Sequence, residues 1–277
     1  MTGFLIVILV TLFVVFLFLC FLLLPDKPGN EQVKPFYHRN IAHRGLHTKD
    51  KLIPENSMAA FQQAIIHNYG IELDVQFTKD FQVVVFHDST LNRVCGINGR
   101  VDEYTYEQLQ KFSLCQSKER IPRFEDVLKM VNGRVPLIVE LKTGKHNKQL
   151  CEMVYTMLEQ YEGAFCIESF DPTIVRWFKL HAPSIYRGQL SASSASMKKE
   201  LDVLKRFFLS TCFLNFIGRP NFIAYEKNKA PWTVRLAYSL GAIPVVWTVC
   251  DNDPIRQIEQ KNQTVIFEFY HPTSYFD

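Results

Sequence analysis

Strand-like apolar runs alternate with helix-like segments from about residue 39 onward, and this alternation limits the fold more than any other feature of the chain. The runs fall at 40–43, 71–77, 136–141, 164–168, 185–190, 222–225, 243–249 and 264–269. A further run, 82–86, follows the second after a turn at Thr78-Lys79-Asp80-Phe81, so the two read as a hairpin. Asn56-Ser57 caps a helical stretch reaching about Asn68, with Met58, Phe61, Ala64 and Ile65 on one face. Further helices are expected at 123–131, 147–161, 172–180, 197–207, 231–239 and 253–260. Eight βα units in 277 residues predict an α/β fold of the (β/α)8 TIM-barrel type. The first strand is not followed by G-x-G-x-x-G, which argues against an open dinucleotide-binding sheet. Residues 88–122 break the rhythm, with Gly96 and Gly99 near a turn and a short helix at 104–112, and read as a small insertion after the hairpin.

Residues 4–24 are uninterruptedly apolar except at Thr11 and Cys20. At ~1.5 Å per residue they reach about 30 Å, the thickness of a bilayer's hydrocarbon core. Met1-Thr2-Gly3 carries no charged side chain, and Leu24-Pro25-Asp26-Lys27 offers no small-x-small cleavage site, so a membrane anchor is expected over a signal peptide. The expected organisation is therefore a single transmembrane helix at 1–24, a linker at 25–38 and a barrel at 39–277. With three prolines, one glycine and four formal charges, the linker reads as an extended tether. Lys27, Lys34, Arg39 and Arg44 follow the apolar segment, and the positive-inside rule then places the barrel on the cytoplasmic face. Cys95, Cys115, Cys151, Cys166, Cys212 and Cys250 are scattered without a C-x-x-C pair, as expected of structural thiols rather than a zinc site. A net charge of +3 without a basic stripe gives no reason to expect nucleic acid, and nothing points to a protein partner.

The chemistry concentrates at strand ends. His43-Arg44 follows the first run, Glu72 and Asp74 lie in the second, His87-Asp88 follows the hairpin strand, and Glu140 and Lys142 close the next. Side chains alternate along a strand, so Glu72 and Asp74 share one face, as do Glu140 and Lys142. Carboxylates gathered on one face repel unless a proton or a cation neutralises them, and each would cost several kcal/mol buried and unpaired. Glu72, Asp74 and Glu140 offer only oxygen, which suits Mg²⁺ or Ca²⁺ better than zinc. Arg44 and Lys142 add fixed positive charge, so the site also wants an anion. Together with two histidines, these groups describe phosphoryl chemistry with an acid/base pair.

Five motifs carry a resemblance. His43-Arg44-Gly45, Pro54-Glu55-Asn56-Ser57, Glu72-Leu73-Asp74-Val75, His87-Asp88 and Glu140-Leu141-Lys142 resemble the hallmarks of the glycerophosphodiester phosphodiesterase family. Ser169-Phe170 and Trp247-Thr248-Val249 also fit, and the resemblance covers about residues 39–275. It implies a TIM barrel with a divalent cation (Mg or Ca) on Glu72, Asp74 and Glu140, and His43 and His87 as acid and base. It further implies Arg44 and Lys142 on the phosphoryl oxygens, Glu55 orienting groups nearby, and Trp247 lining the pocket for the alcohol. The bland alternatives are that Trp247 is barrel core and that Glu55 serves the helix after it.

The implied activity is metal-dependent hydrolysis of glycerophosphodiesters to an alcohol and glycerol phosphate. The alternatives are a lysophospholipase D acting on membrane lysolipids, and a non-catalytic phosphodiester-binding membrane protein, which would have lost a ligand or a histidine. Two positions depart from the family pattern. Phe81 stands where glycine is usual in the hairpin turn, and Phe267-Glu268-Phe269-Tyr270-His271-Pro272 replaces a Thr-Asp-x-Pro ending.

Overall fold

The computed structural model describes residues 2–199, 201–227 and 229–276. Its strands are β1 (Arg39–Ala42), β2 (Gly70–Phe77), β3 (Val83–Val85), β4 (Leu137–Leu141), β5 (Phe165–Ser169), β6 (Arg187–Ser191), β7 (Phe222–Glu226), β8 (Ile243–Val249) and β9 (Thr264–Phe267). All but β3 run parallel in one sheet, and β1 pairs with both β9 and β2, with Ala42 opposite Phe267 and Ile71 respectively. The eight parallel strands thus close into the expected barrel. The hairpin strand β3 pairs antiparallel with the far half of β2, with Val75 opposite Val85.

Helices α1 (Thr2–Leu23), α2 (Asn30–Val33), α3 (Met58–Ile66), α4 (Asn92–Cys95), α5 (Tyr106–Leu109) and α6 (Phe124–Val131) lie in the first half. The rest are α7 (Asn147–Glu159), α8 (Pro172–His181), α9 (Val203–Thr211), α10 (Asn215–Gly218), α11 (Trp232–Ser239) and α12 (Ile255–Glu259). Strands buried on both faces divide their side chains between two layers. Ile41, Ile138, Cys166, Leu190, Ala224 and Ile266 fill the barrel interior. Leu73, Val139, Leu141 and Ile167 turn outward onto Phe61, Phe124 and Phe178 of the helices. The insertion has a small core of its own, in which Leu91, Val94, Leu109 and Ile121 pack with Val84 and Phe86.

Three expectations require correction. Residues 25–38 are not an extended tether. They include α2 and a 3₁₀ turn at Lys34–Phe36, and Phe36 is buried among the interior side chains, its ring 5.7 Å from Tyr186. The N-terminal end of a barrel needs an apolar plug, and Phe36 supplies one despite the polar company that made the segment look solvated. Nearer α1, Asp26 pairs with the buried Arg187, while Arg219 donates to the carbonyls of Phe21 and Leu24. The helix expected at 197–207 starts later. A 3₁₀ turn occupies Ser196–Lys199, and Asp202 then caps α9, its carboxylate accepting from Lys205 N at 2.9 Å. An N-capping side chain resets the start of a helix because it satisfies donors that have no intrahelical partner. Finally, α10 was not foreseen.

Phe81 adopts φ 58° in the turn between β2 and β3, the region where glycine is normally preferred. Its ring rests edge-on against Phe77 at 5.4 Å and His146 at 5.2 Å.

Candidate active site

The site lies at the C-terminal ends of β1, β2, β4 and β9, and the first loop sets its geometry. Arg44 takes φ 53° just after β1, and Gly45 takes φ +77°. A Cβ on Gly45 would come within 2.9 Å of Ala60 and the Phe61 ring, so the loop can lie against α3 only with glycine there. This turn aims the Arg44 backbone N–H at Glu72 Oε2, 2.9 Å away. It also brings the Arg44 guanidinium to Glu55 at 2.7 Å and within 3.6 Å of Asp74. Asn56, also left-handed at φ 52°, donates through Nδ2 to Asp74 Oδ2 at 2.8 Å. Ser57 then caps α3, its hydroxyl accepting from Ala60 N at 3.1 Å.

Glu72 and Asp74 point into the barrel from β2, and Glu140 stands opposite Asp74 in the β2–β4 register. One carboxylate oxygen from each lies within 4.8 Å of the others. Lys142 donates to Glu140 at 2.7 Å and to Asp74 at 3.3 Å. Although burial alone would lower it, Glu140 and Asp74 keep Lys142 firmly cationic. Burial likewise works against ionisation of Asp74, but Lys142, His87 and Arg44 outweigh it and hold Asp74 well below the usual carboxylate range. Glu72 goes the other way. Burial first, then the charges of Asp74, Glu140 and Glu168, push it well above that range.

Glu168, opposite Glu140 in the β4–β5 register, is 1% exposed, and its Oε2 has no hydrogen-bond partner among the described residues. Burial and its acidic neighbours raise it too. Four buried carboxyls therefore face two cations, Arg44 and Lys142. The deficit is about two charges, which is what a hard divalent cation supplies, and the all-oxygen donor set fits one. Glu72, Asp74 and Glu140 could hold it.

The two histidines stand on either side. His43 Nε2 lies 3.8 Å from Glu72, and its Nδ1 lies 3.2 Å from Glu268 Oε1 on the segment after β9. Burial and the Arg44 charge lower the His43 pKa, favouring neutral imidazole. The same Glu268 oxygen is 2.9 Å from His47 Nε2. Burial would raise Glu268, but its contacts with His43 and His47 draw it below the usual range. His87 is oriented by Asp88, 2.7 Å from its Nδ1. From the insertion, Arg93 reaches back to Asp88 at 2.7 Å and Glu55 at 2.6 Å, so one guanidinium links both flanks. Against the effect of burial, Arg93 and Arg44 bring Glu55 down to about 2. The cleft beside Arg44 and Glu55 is rimmed by Lys49, Lys51 and Arg93, a basic margin suited to an anionic ligand.

Eight of the nine residues singled out from sequence, His43, Arg44, Glu55, Glu72, Asp74, His87, Glu140 and Lys142, thus belong to one connected site. Trp247 stands apart. Its indole N–H donates to Ala224 O at 3.0 Å and its ring lies edge-on to Phe170 at 5.9 Å, over the interior cluster and outside the cleft beside Arg44.

Sequence reasoning missed Asn56, Glu168, Glu268, His47 and Arg93 as site residues. Glu168 sits at an inward position of an apolar strand, the same signal that revealed Glu140. Asn56 was legible only as a helix-capping neighbour. Glu268, His47 and Arg93 reach the site through long-range contacts that no local pattern announces.

Fold and site together define a TIM barrel whose mouth gathers buried carboxyls, two fixed cations and two imidazoles. Comparison with known proteins gives the family. The glycerophosphoryl diester phosphodiesterase family matches residues 43–270, and the chain belongs to that family. It is 35% identical to a glycerophosphodiester phosphodiesterase of Caldanaerobacter subterraneus over 210 residues, covering 70% of this chain and 84% of the relative. It is 38% identical to YhdW of Bacillus subtilis, but that match covers 52% of this chain and only 62% of YhdW. A lysophospholipase D of Mus musculus, GDPD1, is 34% identical over 46% of this chain and 43% of its own length. Among solved structures, an Oleispira antarctica phosphodiesterase in complex with sn-glycerol-3-phosphate superposes with a TM-score of 0.68. That match covers 85% of this chain and 94% of the other at 18% identity, and bears on the fold alone.

Proposed function

We infer that this chain is a divalent-cation-dependent phosphodiesterase that splits a glycerophosphodiester into an alcohol and glycerol phosphate. The observation that carries this reading is the buried Glu72–Asp74–Glu140 triad, which together with Glu168 outnumbers Arg44 and Lys142 by two charges and is flanked by imidazoles from separate strand ends. We propose Mg²⁺ or Ca²⁺ as its cation, which when bound polarises a phosphoryl oxygen. Arg44 and Lys142 bind the remaining phosphoryl oxygens, and Glu55 keeps Arg44 directed at them. His43, held neutral, accepts the proton from the attacking hydroxyl, whether of water or of the glycerol moiety. Its oxygen bonds to phosphorus, the bond to the leaving oxygen breaks, and His87 donates the proton that oxygen needs. We propose that Trp247 and Phe170, which meet edge-on at 5.9 Å beyond the cleft beside Arg44, offer the apolar surface for the alcohol.

The second reading, a lysophospholipase D acting on membrane lysolipids, draws support from the GDPD1 likeness and from α1. Residues Gly3–Leu23 have a mean hydropathy of 3.4, and we propose that they anchor the protein in a membrane as a single span. Leu23 is part of a buried barrel cluster with Cys212, Ile223 and Ala237, a role that favours a retained anchor over a cleaved signal sequence. The lysines and arginines that follow support a cytoplasmic barrel. The decisive experiment compares glycerophosphocholine, glycerophosphoglycerol and a lysophospholipid as substrates of the full-length protein, with and without chelator. Cation-dependent release of glycerol phosphate supports the first reading. Preference for the lysolipid supports the second, and turnover of none would remove both.

A further inference from the structure

An amphipathic helix on a barrel normally turns its apolar stripe inward. α9 half-buries Phe208 and Leu209 but also turns apolar side chains outward. Its buried residue is Ser210, whereas Val203, Leu204 and Phe207, which share one helical face, are 73%, 66% and 49% exposed. Trp232, which opens α11, is 52% exposed on the same wall. A patch of this kind on a soluble surface marks a contact site.

The patch is continuous with α1. Phe207 touches the Phe213 ring at 5.8 Å, and Phe213 meets Trp232 at 6.5 Å. Phe213 and Leu22 both pack against the cluster that contains Leu23, and Phe21 meets Phe216 at 6.4 Å. One apolar strip therefore runs from the root of the membrane helix to α9. Its far end lies at the mouth of the barrel. Ser191, the last residue of β6, donates to Leu209 O of α9 at 2.7 Å, and Trp232 follows the C-terminal end of β7. Charge agrees with the apolar pattern. Residues 198–235 contain eight lysines or arginines against three acidic residues, in a chain whose overall net charge is +3.

We propose that this wall, from α10 to α9 and Trp232, seats the barrel on an anionic lipid bilayer, with the rim of the mouth at the headgroup level. Trp is the side chain best suited to that depth, and the excess of basic residues meets the negative leaflet. A phosphodiester presented by lipid then reaches the site without leaving the interface. The inference rests on the anchor reading of α1 but makes a separate claim about where the barrel lies.

The test uses the full-length protein in vesicles of phosphatidylcholine, with or without phosphatidylglycerol, that contain a doxyl-labelled quencher lipid. Trp emission should be quenched in anionic vesicles, less so in neutral ones, and the quenched component should be missing in Trp232→Phe. The double variant Leu204→Asp/Phe207→Asp should stay with the vesicles through an alkaline carbonate wash, held by α1. It should lose the quenching, lose about tenfold in turnover of vesicle-borne lysolipid, and keep its turnover of glycerophosphocholine. Carbonate-resistant protein without Trp232 quenching would overturn the seating while leaving the anchor intact. Extraction by carbonate with quenching preserved would retain the seating and remove the anchor, and loss of both would remove both. Cross-linking between copies through Phe207→Cys without lipid quenching would assign the patch to a second copy and overturn the proposal.

Discussion

His43 stands between two carboxylates, 3.8 Å from Glu72 on one side and 3.2 Å from Glu268 on the other, while burial and Arg44 keep it neutral. A neutral imidazole at that position can take a proton, and His87, braced by Asp88, can give one. His43→Ala and His87→Ala should each lower kcat by roughly 10²-fold or more, the usual worth of a general acid or base. Thermal melts should move little, because both rings sit at the mouth rather than in the packed interior. Steady-state kinetics with near-normal turnover in either variant would refute the assignment. Glu268→Ala is expected to be milder, roughly tenfold to a hundredfold in kcat, because it removes the group that fixes the ring rather than the ring itself. If its loss appeared in KM alone, Glu268 would instead belong to substrate binding.

At the scale of elements, the insertion and the N-terminal segment contribute more to the fold and site than their composition suggests. α4 sends Arg93 across to Glu55 and Asp88, so the insertion braces both sides of the site. Glu55 is drawn from an ordinary value of 4.5 down to about 2 by its arginines. A carboxyl lowered on folding contributes stability above its unfolded value and loses it as pH falls through the folded one. The stability gap between the native chain and Arg93→Met should therefore be constant above about pH 5 and narrow toward pH 2. Denaturant titrations at stepped pH read this directly, and a gap that widened in acid would contradict it. The N-terminal segment yields a second comparison. Removing residues 1–18 leaves Leu23, Asp26 and Phe36 at their posts, whereas removing 1–30 strips Leu23 from its cluster and Asp26 from Arg187. Full burial of a leucine is worth about 1.5–3 kcal/mol, or roughly 3–10 °C in a domain of this size. The longer truncation should melt lower by at least that much, while the shorter should not. Equal melting temperatures would mean the root of α1 contributes nothing to the fold.

For the whole molecule, the governing quantity is the charge deficit inside the barrel. Glu72 and Glu168 are both pushed up because four carboxyls share a low-dielectric interior with two cations. Thorough chelation should abolish phosphodiesterase activity, and Mg²⁺ or Ca²⁺ should restore it. The same cation should raise the melting temperature even without substrate, since a ligand at about 100 times its dissociation constant adds about 2.7 kcal/mol. Full activity in metal-free protein, or a melting temperature indifferent to either cation, would sink the assignment.

Barrel, hairpin and most of the site were legible in the sequence because each depends on short-range pattern. Strand alternation put Glu72 and Asp74 on one face, the i, i+2 spacing of Glu140 and Lys142 repeated the signal, and His43 and His87 ended apolar runs. The tertiary structure alone decided that Glu268 would meet His43 across 225 residues of chain. It also decided that Arg93 would close over Glu55, and that Phe36 and Leu23 would bind a polar-looking linker and an apolar helix to the barrel. Local sequence sets which way a side chain points from its own strand or helix. Which partner it meets there is set by closure of the barrel, where β1 joins β9 and contacts distant in sequence become neighbours.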